Sequence, residues 1–150
     1  MPGTLTQRPG TDADVEFLYE LLRDALGPYV VATYGPWDEE EQRARFLRDP
    51  RPDEQRIVER EGEPIGCLWF SEGSDELNLR RIFLRPEWHG CGLGTELMRG
   101  LLARADAKRL PVTLRVFEVN PAQRLYARLG FTVVERDGTH VYMRREVGGR

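Results

Sequence analysis

Apolar positions along the chain follow two periods, one after the other. In "TDADVEFLYELLRDAL", Val15, Leu18, Leu22 and Leu26 fall on one helical face, with Thr11 or Asp12 as the cap. Gly27 and Pro28 predict the end of that helix, and "YVVATYGPW" reads either as a loop or as a distorted helix. A second helix is predicted over "DEEEQRARFLRD", ending before Pro50, and residues 4–8 suggest a short strand ahead of both helices. Alternation then takes over. "QRIVEREGEPIGCLWFSEG" predicts two strands around the turn Glu61-Gly62-Glu63-Pro64, and "ELNLRRIFLRP" a third that stops by Pro86.

The helical period returns in "GTELMRGLLARADAKR", where Leu97, Leu101, Leu102 and Ala105 share a face. "VTLRVFEV" predicts a strand, and "PAQRLYARLG" a helix with Pro121 in its first turn and Gly130 at its C-cap. "FTVVERDGTHVYMRRE" predicts a hairpin around Asp137-Gly138, and the tail "GGR" reads as disordered. The order is β-α-α-β-β-β-α-β-α-β-β, with a parallel connection only around the glycine-rich segment. That predicts an α+β fold: one mixed, mostly antiparallel sheet of about seven strands with about four helices, a single domain over 1–150.

Composition narrows the function classes. A 150-residue chain with 40% hydrophobic and 31% charged residues has the material for a core of its own. Net charge is −3, from 25 acids against 22 bases, which excludes a global electrostatic footprint for nucleic acid. No apolar run is long enough to cross a bilayer, and "MPGTLTQRPG" lacks an apolar secretory stretch, so the expected location is cytoplasmic, with no membrane partner. Cys67 and Cys91 belong to no CxxC or Cys/His cluster, so neither a metal site nor a disulfide framework is expected. The acidic run Asp38-Glu39-Glu40-Glu41 reads as a solvated helix start, with a docking site for a cationic substrate as the alternative.

"HGCGLGTELM", residues 89–98, places Gly90, Gly92 and Gly94 between a predicted strand and a predicted helix. A helix N-terminus offers unpaired N–H groups and partial positive charge, and glycines let an anion approach the backbone. A Walker A loop is excluded, because Gly94 is followed by Thr95 with no lysine. A dinucleotide-binding fingerprint fits poorly: the third glycine comes one residue early and antiparallel hairpins precede it. A pyrophosphate turn of the acetyl-CoA type and a ligand-free tight turn remain.

The stretch Leu84-x-Pro86-x-x-His89-Gly90-x-Gly92-Leu93-Gly94 resembles the acyl-CoA-binding signature of the GCN5-related N-acetyltransferase (GNAT) family. "NPAQRLYARLGF" resembles the family's following motif through Asn120, Tyr126, Gly130 and Phe131, one helix and one strand later. The resemblance extends over the element order from residue 4 to 146, and its specific part covers roughly 77–131. It implies a GNAT-like sheet splayed at the cofactor site, acetyl-CoA as cosubstrate, no metal, and an amine acceptor that is a small molecule or a protein. A homodimer is compatible with it.

Roles follow by resemblance. The backbone of Ile82, Phe83 and Leu84 runs along the pantetheine arm, and that strand splays from 112–118. Gly90, Cys91, Gly92, Leu93, Gly94 and Thr95 form the pyrophosphate turn, and Asn120 either caps the helix after it or bonds the cofactor arm. His89 stands where the family usually has Gln or Arg; its backbone N–H remains a donor to phosphate. The Tyr126 hydroxyl is placed beside the sulfur as the acid, although its spacing with Ala122, Leu125 and Leu129 equally fits a core residue. An alkyl amine has a pKa of ~10.4 and an α-amine ~8, so a base or a water chain must take a proton from the acceptor. Glu118 is the candidate base, with Glu76 or ordered water as alternatives, and His140 on the last hairpin reads as structural or solvated. A non-catalytic acyl-CoA sensor is the alternative function; retention of both Asn120 and Tyr126 favours the enzyme.

Overall fold

Strand β1 (Leu5–Pro9) pairs antiparallel with β2 (Arg56–Arg60), and β2 with β3 (Glu63–Glu72). The computed structural model describes residues 4–149, so the first three residues of the N-terminal segment and Arg150 lie outside it. Helices α1 (Val15–Tyr34) and α2 (Glu39–Leu47) connect β1 to β2. Strand β4 (Leu77–Leu84) leads through a glycine-rich turn into α3 (Leu93–Ala107) and then β5 (Val112–Phe117). Helix α4 (Gln123–Arg128) and the hairpin β6 (Thr132–Arg136) and β7 (His140–Arg145) complete the order. Hydrogen-bonded neighbours in the seven-stranded sheet run β1-β2-β3-β4-β5-β7-β6. β4 pairs with β5 in parallel, whereas β5–β7 and β6–β7 are antiparallel. This is the mixed α+β sheet with four helices that the sequence predicts. Among the described residues, no helix is long and apolar enough to cross a membrane.

The chain forms two compact units, 4–69 with Arg81–Cys91, and Phe70–Arg80 with 92–149. In the first, Leu18, Tyr19 and Leu21 of α1 pack with Phe46, Ile57 and Cys67 in a cluster that Phe83 joins at its margin. Tyr19 meets Phe46 edge-on at 5.4 Å, and its hydroxyl donates to Glu39 at 2.7 Å. Helix α1 does not stop at Gly27 and Pro28 as predicted; it runs seven residues further than Gly27. Pro28 is exposed and costs the helix one N–H, while Gly27 is buried with the Trp37 ring 4.0 Å from where a methyl group would sit. The true stop is Gly35, whose φ of 105° only glycine adopts readily.

The acidic run is a helix start, as read. Asp38 Oδ1 accepts from the Glu41 N–H at 3.0 Å, and Glu39 accepts from Tyr19 and from Trp37 Nε1. The β2–β3 turn is tighter than predicted. Glu61 (φ 53°) and Gly62 (φ 80°) form it alone, and Glu63 and Pro64 already belong to β3. A register shift at Val58 and Glu59 accommodates Pro64.

In the second unit, α3 buries Leu93, Leu97, Met98, Leu101, Leu102 and Ala105. Arg145 closes the unit from β7: its guanidinium holds Asp106 through two bonds of 2.9 and 3.1 Å, and Nε donates to the Leu129 carbonyl at 3.0 Å. The tail predicted as disordered is ordered through residue 149. Residues Val147–Gly149 form a 3-10 turn, and the Gly148 N–H donates to Asp106 Oδ1 at 2.9 Å. A methyl group on Gly130 would lie 3.0 Å from the Gly149 Cα, so the tail seats directly on that glycine.

Candidate functional site

Leu84 ends β4, and the chain then makes a 3-10 turn over Pro86–Trp88 before the glycines. The N–H of Trp88 donates to the Arg85 carbonyl and that of His89 to the Pro86 carbonyl, at 2.9 and 3.0 Å. The His89 backbone donor expected to face phosphate is therefore engaged within the turn. Its side chain is engaged too: Nε2 lies 2.8 Å from the Leu84 carbonyl oxygen. Cys91 is exposed, and its thiol donates to the Trp88 carbonyl at 3.0 Å.

Gly90 and Gly92 both take left-handed backbone conformations, with φ of 75° and 84°. Gly92 is the N-cap of α3, and the first intrahelical bond runs from the Glu96 N–H to the Gly92 carbonyl at 3.0 Å. The amides of Leu93, Gly94 and Thr95 therefore have no acceptor inside the helix. A methyl group at Gly90 or Gly92 would meet no protein atom within 4 Å. Residues 86–95 contain no lysine or arginine. The helix start and its N–H groups supply positive potential here, a combination that fits an anion such as pyrophosphate.

Ile82 and Phe83 are half-buried and Leu84 is buried at the end of β4. Gly66, which the sequence reading did not single out, decides how closely β3 approaches that strand end. A methyl group on it would lie 2.3 Å from the Phe83 carbonyl oxygen, and the Arg85 N–H donates to the neighbouring Ile65 carbonyl at 2.8 Å. A glycine inside a strand pattern was the available signal.

In the second unit, the parallel pairing of β4 with β5 covers three residues of each strand: Leu77 with Val112, Asn78 with Thr113 and Leu79 with Leu114. β5 continues to Phe117, paired with β7 on its other edge. Beyond Phe117 the chain turns through Glu118 and Asn120 into α4. Asn120 Oδ1 accepts from the Ala122 N–H at 2.8 Å, an Asx turn ahead of α4, whose own N-cap is Ala122 without a side-chain cap bond. Gln123, overlooked in the sequence, fastens the turn: its Nε2 reaches the carbonyls of Phe117, Glu118 and Asn120 at 3.1, 2.8 and 3.2 Å. Its place three residues after Asn120, at a helix start, was the clue.

Tyr126 is half-buried on α4, edge-on to Phe131 with ring centroids 5.8 Å apart. Glu118 bonds Arg136 through Oε1, while its Oε2 is buried without a hydrogen-bond partner among the described residues. Glu76 accepts from the Thr113 hydroxyl, which in turn takes a bond from Asn78 Nδ2 at 3.0 Å. That places Glu76 at the start of the parallel pair and Glu118 beyond its far end, about six residues or ~20 Å along β5. Glu76 therefore does not share the Glu118 end.

His140 opens β7 opposite Phe117, and the two rings stack at 4.4 Å with an interplanar angle of 32°. Burial, then the neighbouring Arg115 charge, hold the imidazole below its ordinary pKa. The Asp137 carboxyl lies well below the usual carboxylate range, chiefly because it accepts from the His140 and Thr139 N–H groups. Burial pushes the Cys67 thiol up to about 12. No group of three His, Cys, Asp or Glu side chains that could hold a metal occurs among the described residues.

The sequence profile of the acetyltransferase (GNAT) family matches residues 15–131. An uncharacterised N-acetyltransferase of Mycobacterium tuberculosis is 35% identical over 104 residues, covering 66% of this chain and 63% of that protein. The match thus spans less than two thirds of the mycobacterial relative's length. A putative [ribosomal protein bS18]-alanine N-acetyltransferase of Bacillus subtilis is 27% identical over 120 residues, covering 78% and 74%. Among solved structures, the PaiA N-acetyltransferase of Thermoplasma acidophilum, crystallised with coenzyme A, shares the fold. Its TM-score is 0.72 at 20% identity, over 95% of this chain and 99% of that one.

Proposed function

The chain belongs to the acetyltransferase (GNAT) family, and from that premise we propose that it moves an acetyl group from acetyl-CoA to a primary amine by direct attack while both substrates are bound. The observation that carries this reading is the turn before α3. Two left-handed glycines, open space over both, and amides without intrahelical acceptors make a backbone cradle for pyrophosphate. Gly90, Gly92 and the amides of Leu93, Gly94 and Thr95 hold the diphosphate, with Cys91 contributing main chain only. The backbone of Ile82, Phe83 and Leu84 lines the pantetheine arm. Bound acetyl-CoA supplies an activated thioester carbonyl.

Tyr126 donates a proton to the departing thiolate; a phenol keeps its proton near neutral pH and so suits a donor. Holding amine and thioester together removes much of the entropic barrier. The acceptor is a small-molecule or protein amine. The name of the Bacillus subtilis relative supports a protein α-amine as one candidate. The test is a calorimetric titration with acetyl-CoA, followed by free-thiol detection against small amines and peptides that begin with alanine. Cofactor binding with amine-dependent thiol release is expected. Binding without release from any amine would make the protein an acyl-CoA sensor, and absence of binding would overturn the reading.

A further inference from the structure

Acetyl transfer needs a base for the amine proton, and one oxygen of Glu118, the candidate read from the sequence, is taken by the Arg136 guanidinium. A different group stands at the same end of β5. Thr139 links Asp137 to His140: its Oγ1 is 3.0 Å from Asp137 Oδ1 and 2.9 Å from His140 Nδ1. The Asp137 carboxylate can only accept, so the Thr139 hydroxyl hydrogen points to it. The hydroxyl oxygen is left to accept, and the hydrogen in the second contact must come from the ring. His140 is therefore the Nδ1–H tautomer, and its lone pair sits on Nε2. Nε2 has no hydrogen-bond partner among the described residues, and it is not among the polar atoms sealed from water.

Resting on the acetyl-transfer reading, we propose that His140 Nε2 is the general base that takes the proton from the attacking amine, with Asp137 and Thr139 as positioning residues that fix its tautomer. The nitrogen forms a bond to the thioester carbonyl carbon as the carbon–sulfur bond breaks. The amine proton passes to Nε2 and the thiolate takes one from Tyr126. His140 then returns its proton to solvent and the Tyr126 phenolate takes one back, so the neutral amine and acetyl-CoA become the amide and free CoA thiol with no net proton released. Stacking on Phe117 fixes the ring plane.

The charges around the ring favour the neutral form needed for this. Arg115 on β5 opposes protonation, while Asp137 in the turn favours it more weakly. The Glu118–Arg136 ion pair, from the end of β5 and from β6, adds no net charge. Because the shift is downward, the base stays competent below the ordinary imidazole range and fails only as pH falls through the lowered value.

The chain has two histidines, so ring nitrogen NMR separates them by comparison with His140→Gln. The expected spectrum shows His140 as the Nδ1–H tautomer at neutral pH, titrating below the usual imidazole value. With any acetylated amine, kcat/KM of the wild type should show an acid limb at that same pH. His140→Gln should abolish the limb and lower kcat/KM by ~10²–10⁴ while leaving acetyl-CoA affinity unchanged. Thr139→Val should keep the limb, lower kcat about 3–10-fold, and show a mixed tautomer. An acid limb that survives in His140→Gln, or disappears in Glu118→Gln, overturns the assignment and leaves acetyl transfer intact. A wild-type protein that acetylates no amine overturns acetyl transfer itself, and this role with it.

Discussion

The His89 ring turns back on the strand that leads to it, with Nε2 2.8 Å from the Leu84 carbonyl oxygen. A carbonyl only accepts, so Nε2 carries the hydrogen and donates. The side chain thereby ties the glycine turn to the end of β4 instead of reaching outward as a Gln or Arg would. His89→Ala removes a bond worth ~1 kcal/mol. Acetyl-CoA affinity, measured by calorimetry, should weaken about three- to tenfold as the turn loosens. Unchanged affinity would show that the ring does not order the turn.

Gly92 separates backbone strain from blocked approach. Most side chains at its φ of 84° are strained, whereas asparagine tolerates the left-handed region better than other residues. No protein atom lies near the added Cβ. Gly92→Asn is expected to melt close to the wild type yet bind acetyl-CoA at least 100-fold more weakly. Retained affinity in the folded variant would remove the pyrophosphate from this turn.

Tyr126→Phe keeps the ring on Phe131 and deletes only the hydroxyl. Turnover should fall by ~10²–10⁴, the usual effect of losing a positioned acid or base. Stability should fall by no more than ~1 kcal/mol and cofactor affinity should barely move. Near-normal turnover would leave the hydroxyl no part in protonating the thiolate. Equal losses in all three measurements would make it structural.

Asp106 couples stability to pH. The Arg145 guanidinium, then the Gly148 N–H, lower its pKa in the folded protein. Its carboxylate therefore contributes stability that is present above the unfolded carboxyl value of ~3.9 and is lost as pH falls through the folded value. The Arg145 side chain is 10% exposed and that of Asp106 34%, so the pair is screened on one side only. Asp106→Asn should cost about 2 kcal/mol at pH 7, less than the 3–5 of a fully buried pair. The gap between the two proteins should narrow in urea unfolding as the pH is taken progressively below ~3.9. A constant gap across that range would remove the charge from the account.

Most of the fold was legible because most elements obey a local rule. Asp137-Gly138 makes its hairpin whatever surrounds it, although α4 begins at Gln123, two residues later than Pro121 suggests. What the sequence concealed was long-range. α1 passes Pro28 because the proline faces outward and Gly27 packs near Trp37, a partner ten residues away. The tail is ordered because Asp106, some forty residues upstream, takes the Gly148 N–H. At the candidate site, the glycines announced themselves by spacing. His140 did not, because its tautomer depends on a threonine and an aspartate whose geometry only the folded hairpin supplies.

The contrast between the two cysteines has a practical meaning. Cys67 is buried, with a thiol that ionises only near pH 12, while Cys91 is exposed in the glycine turn. Thiol chemistry at neutral pH should discriminate between them without any mutation, since only the exposed sulfur meets a reagent. An environment-sensitive dye on Cys91 would sit beside the proposed diphosphate cradle. Occupancy could then be followed in real time as a change in emission, with an unmodified chain as the starting material.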